Sequence, residues 1–488
     1  MTASLQLSWR EGASAKPGPD GAWCIEGPGG RVVLRNPAPA LAAALLRLTP
    51  PGEDEDRIVD DILTAGGPEA LAGWYFRLQG LAGRGFVSRS AQIDGRRLAT
   101  LLPTTASFRF SPTLVPPDCP HLLSRFAYLR REGSTLVLES PLSHARVLLD
   151  DSRSALLVAA LATPGTVHEL AGRANGLPAE AILPLLGLLA GAGMIEEFAP
   201  DRSDERAESA VLRSWEFHDL LFHARSRKGR SDAPSGATYR LAGVTDPPPA
   251  LKPPEAGEVF ELHRPDLSRL ERDDPPLARI MEHRQSVREY GPRPITATQL
   301  GEFLFRVARA KDFYRSEVDT PRGPVQCEYA PRPYPSGGGL YEIEFYAAVH
   351  TCDGLEPGLY RYEPRGHRLG LICRRNADVE RLLRDAALSA GIPGERVQVV
   401  LILAARFGRL AWKYASISYS LVLKHVGVIY QSMYLAATAM NLSPCALGGG
   451  DSDLFARAAG TDYYEETSVG EFLIGSHSVA GAQEDRTG

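Results

Sequence analysis

The stretch that decides the fold runs from Pro333 to Tyr341 and reads PYPSGGGLY. Three successive glycines let backbone amides approach a planar or anionic ligand closely. The spacing fits neither the dinucleotide fingerprint GxGxxG nor a Walker loop. From Tyr341 to Phe345 apolar and charged residues alternate, which predicts a half-buried strand directly after the glycines. On these residues alone, a ligand cradle and a flexible hairpin turn are equally open interpretations.

A basic motif precedes this stretch in the chain, where Arg284 to Arg288 reads RQSVR. In a helix predicted from Leu277 to Arg288, the two arginines stand one turn apart on the same face. Two guanidiniums on one face, with the hydroxyl of Ser286 between them in the sequence, suit a phosphate group. A solvated basic helix face is the alternative, since arginine is mostly a surface residue.

A third motif, RLAWKY from Arg409 to Tyr414, follows the apolar run Val397 to Ala404, which is typical of a central strand. Sheet proteins often place their chemistry at the ends of strands. The ammonium of Lys413 beside the phenol of Tyr414 would stabilise the phenolate, which is the form that accepts a proton. An ordinary surface lysine beside a half-buried tyrosine is the alternative interpretation.

A fourth motif, PCALGGGD from Pro444 to Asp451, follows a buried helix predicted from Leu421 to Met440. It is either a second glycine cradle or a loop that ends the helix.

The remaining patterns around these motifs predict a helix from Thr296 to Ala308 with a capping box, hairpin strands from Leu359 to Tyr362 and from Arg368 to Cys373, and a last strand from Glu471 to Ile474. Together they indicate an α+β domain with an interior sheet covered by helices.

The first 200 residues contain two copies of one order of elements: a strand, three helices and a closing strand. The first copy begins at Gly30 and closes at Arg89, and the second runs from Arg146 to Glu197. Three short helices with a β-wing form a winged-helix pattern. The last helix of the second copy, Ala179 to Ala192, lacks Lys and Arg, which argues against DNA binding. A peptide could instead add as a strand to an exposed wing edge.

Composition and charge argue against a nucleic-acid-binding protein, a metal site and a membrane-spanning chain. The 488 residues include 54 basic and 59 acidic ones, and the net charge of −5 argues against a large nucleic-acid surface. The six cysteines form no CxxC pair and no cluster with zinc spacing, which favours reduced thiols in a cytoplasmic protein without a metal. Polar residues interrupt the most apolar long run, Ser418 to Met440, so we expect a buried helix and not a membrane span.

These patterns predict four segments: winged-helix-like domains at residues 1–100 and 101–200, a Pro-rich linker at 201–275, and an α+β domain with the four motifs at 276–488. The linker carries a short helical island from Trp215 to His223. Its two histidines, His218 and His223, lack a well-placed third ligand and are interpreted as structural.

In their order, the four motifs resemble those of the FMN-dependent nitroreductase fold. More closely, they are similar to SagB/ThcOx-type azoline dehydrogenases, which oxidise thiazoline and oxazoline rings in ribosomally made peptides. The likeness covers residues 210 to 476, and the stretch Lys424 to Gln431 most resembles members from thiopeptide and goadsporin-like pathways. The two N-terminal copies resemble the precursor-peptide recognition elements of peptide-modifying enzymes.

The resemblance implies FMN as the cofactor, bound at the interface of a homodimer. It implies phosphate and ribityl contacts from Arg284, Gln285, Ser286 and Arg288, flavin contacts from the second subunit by Pro335, Ser336, Gly337 and Gly339, and ring contacts by Leu447, Gly448 and Gly449. Lys413 and Tyr414 match the pair regarded as catalytic in the subfamily. Many relatives carry basic residues shortly after that pair and read Gly-His-x-x-Gln-Asn on the long helix. Here Ser418 and Ser420 follow the pair, and the helix reads GVIYQS from Gly427.

The implied activity is oxidation of thiazolines, with oxazolines as a second substrate, in a precursor peptide. Tyr414, assisted by Lys413, would remove the Cα proton, and flavin N5 would accept hydride from Cβ. The implied partners are the azoline-containing precursor and a cyclodehydratase of the same pathway, with neither nucleic acid nor membrane. Two alternatives stay open, namely an NAD(P)H-dependent nitroreductase-type flavin reductase and a flavin-free scaffold that binds a leader peptide.

Overall fold

A computed structural model of the chain describes residues 3–110, 115–174, 176–198 and 209–478. It divides into two compact units, Met1–Ala233 and Pro234–Gly488. The boundary therefore falls inside the predicted linker, 201–275, and not at its end. Residues 199–208, which include the start of that linker, lie outside the described ranges.

The first unit is built mainly from short antiparallel strands and five core helices. Its strands are β1 (Ala3–Trp9), β2 (Ser14–Pro17), β3 (Trp23–Gly27), β4 (Gly30–Leu34), β5 (Glu53–Asp54), β6 (Val87–Ile93), β7 (Arg96–Pro103), β8 (His121–Leu123), β9 (Tyr128–Glu132), β10 (Thr135–Glu139), β11 (Ala145–Leu149) and β12 (Ile195–Glu197). Its helices are α1 (Pro39–Arg47), α2 (Glu55–Gly83), α3 (Ser152–Ala160), α4 (Val167–Arg173), α5 (Ala179–Gly191) and the more peripheral α6 (Phe217–Ser226).

Both predicted copies show the expected order of elements. In the first copy, β4 is followed by α1 and by α2, which breaks at Gly67 (φ 69°) before Pro68 and so contains the two helical stretches predicted there. In the second copy, β11 is followed by α3, α4 and α5, and Thr166 caps α4 in a capping box with Glu169. The assignment of the copies as winged helices stays a prediction.

One strand of each copy lies in a shared sheet. One seven-stranded sheet has the order β5-β1-β6-β7-β11-β10-β9, so that β7 joins β6 of the first copy to β11 of the second. The first strand of the first copy, β4, lies in a separate three-stranded sheet, β2-β3-β4. In the described part of the chain β4 therefore lies at a sheet edge, whereas β11 is paired on both sides.

The second unit centres on one large antiparallel sheet. Its strands are β13 (Gly236–Ala237), β14 (Val259–Glu261), β15 (Tyr314–Thr320), β16 (Gly323–Tyr329), β17 (Ile343–Val349), β18 (Gly358–Glu363), β19 (Arg368–Arg374), β20 (Val399–Arg406), β21 (Tyr414–Ala415), β22 (Leu442–Ala446) and β23 (Glu466–Ser476). Its helices are α7 (Leu267–Asp273), α8 (Leu277–His283), α9 (Ala297–Ala308), α10 (Ala377–Ala390), α11 (Phe407–Ala411), α12 (Ser418–Ala439) and α13 (Ser452–Ala459).

Helices cover both faces of this sheet, whose order is β14-β19-β18-β17-β20-β23-β22. On one face Phe345 of β17 shares a core with α9 and α12, and on the other Tyr346 shares a core with α10 and α13. The α+β prediction, an interior sheet covered by helices, is confirmed for this unit. Across the described ranges, the helices lack the combination of length and apolarity that a bilayer crossing requires.

Several predicted elements of the second unit are confirmed. Thr296 caps α9 in a capping box with Gln299. Strands β18 and β19 form the expected hairpin, and β20 contains most of the predicted run Val397 to Ala404 and lies between β17 and β23.

Two predictions about local structure are wrong. The strand predicted from Tyr341 to Phe345 as half-buried begins at Ile343 and is buried on both faces, because the sheet is covered twice. Its Glu344 is buried beside Arg406, whose Nη1 lies 3.3 Å from the carboxylate.

The helix predicted from Leu277 to Arg288 ends at His283. The remaining residues are not helical, and Val287 donates its backbone N–H to Pro444 O at 2.8 Å instead of to the helix.

Candidate active site

The basic motif and the late glycine motif meet at one tyrosine of α12. Ser286 Oγ lies 2.7 Å from the phenolic oxygen of Tyr434, and that oxygen accepts the backbone N–H of Ala446 at 2.8 Å. The guanidinium of Arg284 lies 5.2 Å from the centre of the Tyr434 ring. We call this group of residues the basic cluster, and it joins two motifs that are far apart in the sequence.

The cationic groups of the basic cluster are available to an anion. Within the described ranges, neither Arg284 nor Arg288 forms a salt bridge with a carboxylate. Gln285, Ser286 and Arg288 are exposed. Two guanidiniums without a carboxylate partner, in the same motif as an exposed hydroxyl, suit a phosphate ester. The prediction that both arginines share one helix face is wrong, because the helix ends at His283.

The late glycine motif presents bare backbone to open space. A Cβ built on Gly448 or Gly449 would meet no atom within 4 Å, and both residues are exposed. The next glycine, Gly450, has no such freedom, because the buried carboxyl group of Glu471 occupies the place of a Cβ. Leu447 is buried and donates its N–H to Glu471 O at 2.9 Å. A flat ring can therefore lie against the backbone at residues 448–449.

Burial raises the pKa of the Glu471 carboxyl above its ordinary value of 4.5, because the charged form loses solvation there. Burial also raises the pKa of Tyr430, a second tyrosine of α12, with the charge of Glu471 adding to the effect. Sequence reasoning missed Glu471 as a neighbour of this motif, since strand β23 follows it at a distance in the chain.

Hydrogen bonds of the Ser336 side chain hold the PSGGG loop against the residues that directly follow it. The Ser336 hydroxyl accepts the N–H of Tyr341 at 3.0 Å and donates to Glu342 at 3.3 Å. Gly338 and Gly339 adopt left-handed backbone angles, with φ of 64° and 69°. The Ser336 hydroxyl thus bonds within the loop of its own chain. The loop also contains Pro335, which is exposed, and Gly337, which is half-buried.

Lys413 and Tyr414 converge on this loop. A Cβ on Gly338 would lie 2.8 Å from Lys413 Nζ and 2.7 Å from the phenolic oxygen of Tyr414. Both side chains are half-buried, and Lys413 Nζ lies 5.5 Å from the ring centre of Tyr239. Two predicted motifs, PSGGG and Lys-Tyr, therefore form one group within a single chain, which we call the Lys-Tyr cluster.

Residues 234–250, predicted as linker, hold the Lys-Tyr cluster in place. Gly236 and Ala237 pair as a short strand with Ala415 and Tyr414. Tyr239 donates its N–H to Lys413 O, and Trp412 Nε1 donates to Thr245 O, both at 2.9 Å. This segment belongs to the second unit, which Pro-rich composition alone does not reveal.

Arg409 anchors the end of the glycine loop next to the Lys-Tyr cluster. Sequence reasoning did not identify it as a structural residue. Its side chain is 3% exposed and donates to Leu340 O at 2.7 Å and to Pro248 O at 2.5 Å. Desolvation lowers its pKa to about 10, so the guanidinium stays charged at neutral pH. A buried cation that bonds to backbone carbonyls fixes the end of the glycine loop against the segment before β14.

The two clusters lie toward opposite ends of α12. His425 contacts the PSGGG loop through Gly337, and Tyr434 belongs to the basic cluster. His425 and Tyr434 are nine positions apart in α12, which corresponds to about 13 Å along the helix axis at the usual rise per residue. Within one chain, the predicted PSGGG contacts are thus set apart from the predicted phosphate contacts.

Two histidines singled out in the sequence lie in the first unit and play no part in these clusters. His218 and His223 belong to α6, where the ring of His223 lies 5.5 Å from that of Trp215. Among the described residues, His, Cys, Asp and Glu side chains form no group of three or more that could hold a metal ion.

Comparisons with known proteins find two matching family models and two similar curated proteins. Residues 281–476 match the model of the nitroreductase family, and residues 121–232 match that of the cyanobactin oxidase ThcOx. A putative nitroreductase of Methanocaldococcus jannaschii, MJ1384, is 29% identical over 192 residues, which cover 39% of this chain and 85% of that protein. The trifolitoxin-processing protein TfxB of Rhizobium leguminosarum bv. trifolii is 24% identical over 168 residues, which cover 34% of this chain and 45% of TfxB.

Solved structures show weaker overall similarity. A putative nitroreductase from Ralstonia eutropha is 20% identical, with a TM-score of 0.35, covering 50% of this chain and 99% of that one. A chain of the Escherichia coli microcin synthetase McbBCD complex, solved with truncated pro-MccB17, is 19% identical, with a TM-score of 0.32, covering 52% of this chain and 90% of that one.

The nitroreductase match supports FMN as the cofactor, and the residues fit it. The unpaired guanidiniums of the basic cluster suit its phosphate, and the bare backbone at Gly448 and Gly449 suits its flat ring. The two family models confirm the resemblance to SagB/ThcOx-type proteins, and residues 281–476 have the nitroreductase fold of an oxidoreductase.

Proposed function

We propose that this protein is an FMN-dependent dehydrogenase that converts thiazolines of a ribosomally made peptide to thiazoles, with oxazolines as a second substrate. The observation that carries the proposal is the convergence of Lys413 Nζ and the Tyr414 hydroxyl on Gly338. The names of two similar proteins, a cyanobactin oxidase and a trifolitoxin-processing protein, support a peptide as the substrate.

The protein's part in the chemistry is proton transfer and orientation. Oxidation of a thiazoline removes two electrons and two protons, and FMN, when bound, supplies the two-electron acceptor. Tyr414 accepts the Cα proton of the ring, and the nearby ammonium of Lys413 stabilises the phenolate that does so. Within the described ranges Lys413 forms no salt bridge, so its charge is available to the phenol.

A second copy of the chain completes the site in this proposal. The basic cluster and the late glycine motif of one subunit hold FMN, and Pro335, Ser336, Gly337 and Gly339 of the other subunit reach it. The separation of the two clusters along α12 supports this arrangement, since one chain holds them toward opposite ends of that helix. The Ser336 hydroxyl already bonds within its own loop, so we assign its contact to the backbone.

The first unit supplies a docking place for the precursor peptide. Edge strand β4 and helix α2 border a cavity of about 580 Å³, lined by Val32, Leu34, Phe76 and Leu81 among others. Phe76 is 80% exposed at its rim. An extended peptide can add to the free edge of β4 and place apolar side chains in the cavity. Arg77, Arg84 and Arg109 also line it, which favours an acidic leader segment.

The second copy is a poorer place for such a peptide. Its equivalent strand, β11, is already paired with β7 and with β10. We therefore assign leader docking to the first copy. A cyclodehydratase of the same pathway is the proposed second partner, because it produces the azolines that this enzyme consumes.

Anaerobic mixing distinguishes the proposal from its alternatives. We expect a heterocyclised peptide to bleach the flavin absorbance, and NADPH to leave it unchanged. Rapid bleaching by NADPH, with no effect of the peptide, would indicate a nitroreductase-type flavin reductase instead. A purified protein without any flavin band, and without affinity for added FMN, would indicate the leader-binding scaffold.

A further inference from the structure

A closed ring of hydrogen bonds lies behind the PSGGG loop. Gly337 donates its backbone N–H to His425 Nε2 at 2.8 Å, and His425 Nδ1 lies 2.7 Å from Glu342 Oε1. Ser336 Oγ donates to the other oxygen of the same carboxylate at 3.3 Å. The peptide bond between Ser336 and Gly337 closes the ring, which therefore joins α12 to both ends of the loop.

The chemistry of the ring fixes the protonation of the imidazole. A backbone N–H can only donate, so His425 Nε2 must accept and carry no hydrogen. The remaining hydrogen of the neutral imidazole is then on Nδ1, which donates to Glu342. Glu342 receives two donors, one on each oxygen, as an ionised carboxylate does.

The two charged or titratable side chains of the ring are shielded from water, whereas Ser336 and Gly337 are half-buried. Glu342 is fully buried and His425 is 6% exposed. Each polar group of the ring finds its partner in another member, as buried polar groups require. A side chain of equal size without hydrogen-bonding atoms at position 425 would leave the N–H of Gly337 and the carboxylate of Glu342 without this partner.

The loop that the ring holds is the surface against which the side chains of Lys413 and Tyr414 are placed. Gly338 directly follows Gly337, and a Cβ on it would lie 2.7 Å from the Tyr414 hydroxyl and 2.8 Å from Lys413 Nζ. A shift of the loop toward Lys413 and Tyr414 would push their head groups aside, and a shift away would leave them unsupported.

We propose that His425, oriented by Glu342, is a positioning residue for Lys413 and Tyr414. It holds Gly337 in place, and through Gly338 it sets where the ammonium and the phenol lie. The inference rests on the proposed function of that pair, and it assigns His425 no contact with substrate.

Kinetics of two variants in the full-length, FMN-loaded protein test this role. We expect His425→Phe to lower kcat about 10- to 100-fold, because small misplacements of reacting groups cost that much. The KM for the heterocyclised peptide and the FMN content stay unchanged. His425→Gln keeps an acceptor for Gly337 and recovers most of kcat. A His425→Phe protein with normal FMN content and normal kcat would overturn the proposal.

A second pair of variants guards against a folding failure at position 425. Glu342→Gln still accepts from His425 and can donate to Ser336, so we expect kcat to stay close to that of the parent. Glu342→Leu breaks the ring at the same point, and we expect kcat to fall as in His425→Phe. Equal kcat for the two Glu342 variants would contradict the role of the ring.

Nitrogen NMR of histidine-labelled protein gives a readout that does not depend on activity. The His425 signal, identified by its loss in His425→Gln, should show a protonated Nδ1 and an unprotonated Nε2. The opposite tautomer, or a doubly protonated ring, overturns the inference even if azolines are oxidised. A wild-type protein that oxidises no azoline while showing the expected tautomer contradicts the proposed function and not the ring.

Discussion

Ser286 Oγ lies 2.7 Å from the phenolic oxygen of Tyr434, which links the basic motif to the middle of the second unit. The same phenol accepts the N–H of Ala446, at the start of the late glycine motif. One tyrosine of α12 thus fixes the position of both segments that we assign to FMN, and the affinity for FMN should depend on it.

We expect Tyr434→Phe to weaken FMN binding. The variant keeps the ring face beside Arg284 but loses the hydroxyl that bonds to Ser286 and Ala446. Each of the two lost hydrogen bonds contributes about 1 kcal/mol, so we expect Kd to rise about 5- to 30-fold. Fluorescence titration of the apoprotein with FMN measures it. Tyr464→Phe, at a side chain that is 85% exposed, is the matched control, and equal Kd values for both variants would contradict the assignment.

Gly338→Ala should impair turnover and spare FMN binding. The new methyl group would meet Lys413 Nζ and the Tyr414 hydroxyl, and the backbone at φ 64° adds strain. We expect kcat to fall about 10- to 100-fold, since the displaced groups lose their alignment with the substrate. Gly394→Ala serves as the control, because a Cβ there meets no atom within 4 Å. Normal kcat in a Gly338→Ala protein would show that the loop does not position the pair.

Glu471→Gln should stabilise the protein above mildly acidic pH. Because burial raises the folded-state pKa of this carboxyl, the folded state holds the proton more tightly than the unfolded state. The stability linked to that proton is fully present below the ordinary value of 4.5 and is lost as the pH rises through the folded-state pKa. The neutral amide avoids this loss, so its advantage in Tm should grow from pH 4 to pH 8.

Thermal melts of parent and variant across that pH range test this expectation. Glu465→Gln, at an exposed position close by in the chain, is the control and should show no such trend. A Glu471→Gln protein whose Tm falls below that of the parent at pH 8 would show that the carboxylate is stabilised by its surroundings.

Phe76→Asp should weaken use of the full-length precursor. The substitution removes an exposed aromatic from the cavity beside β4 and places a negative charge near Arg77 and Arg84. We expect KM for the full-length peptide to rise about tenfold, as the loss of one apolar contact that the docked peptide would cover predicts. KM for a leaderless azoline peptide should not change. Leu388→Ser, at a residue 73% exposed in the second unit, is the control. An equal rise for both peptides would argue against docking at β4.

The sequence predicted most of the second unit because its signals are local. The capping box of Thr296 with Gln299 and the apolar run of β20 depend on neighbouring residues, and both are present. The strand after the glycines was predicted half-buried because its Glu342 and Glu344 alternate with apolar residues. The structure buries both carboxylates with partners, His425 and Arg406, that lie far away in the chain.

The end of α8 is a second place where a contact far away in the chain decides the local structure. Helical spacing favoured continuation through Arg288, but Val287 donates its backbone N–H to Pro444 O instead of to the helix. The four motifs could be read from the sequence one by one, whereas their pairing through Tyr434 and Gly338 depends on tertiary contacts. Segment 234–250 was assigned to a linker because its prolines are visible in sequence and its contacts with Lys413 and Trp412 are not.

Mass spectrometry of a heterocyclised precursor peptide tests the central claim most directly. With wild-type protein, FMN and oxygen, we predict a loss of about two mass units for each azoline ring, which is the stoichiometry of a two-electron oxidation. Lys413→Ala and Tyr414→Phe, each with FMN bound, should lower the rate about 10²- to 10⁴-fold, and Lys424→Ala, at an exposed lysine of α12, should not. An unchanged peptide mass with the wild-type protein, or near-normal rates in both site variants, would contradict the account.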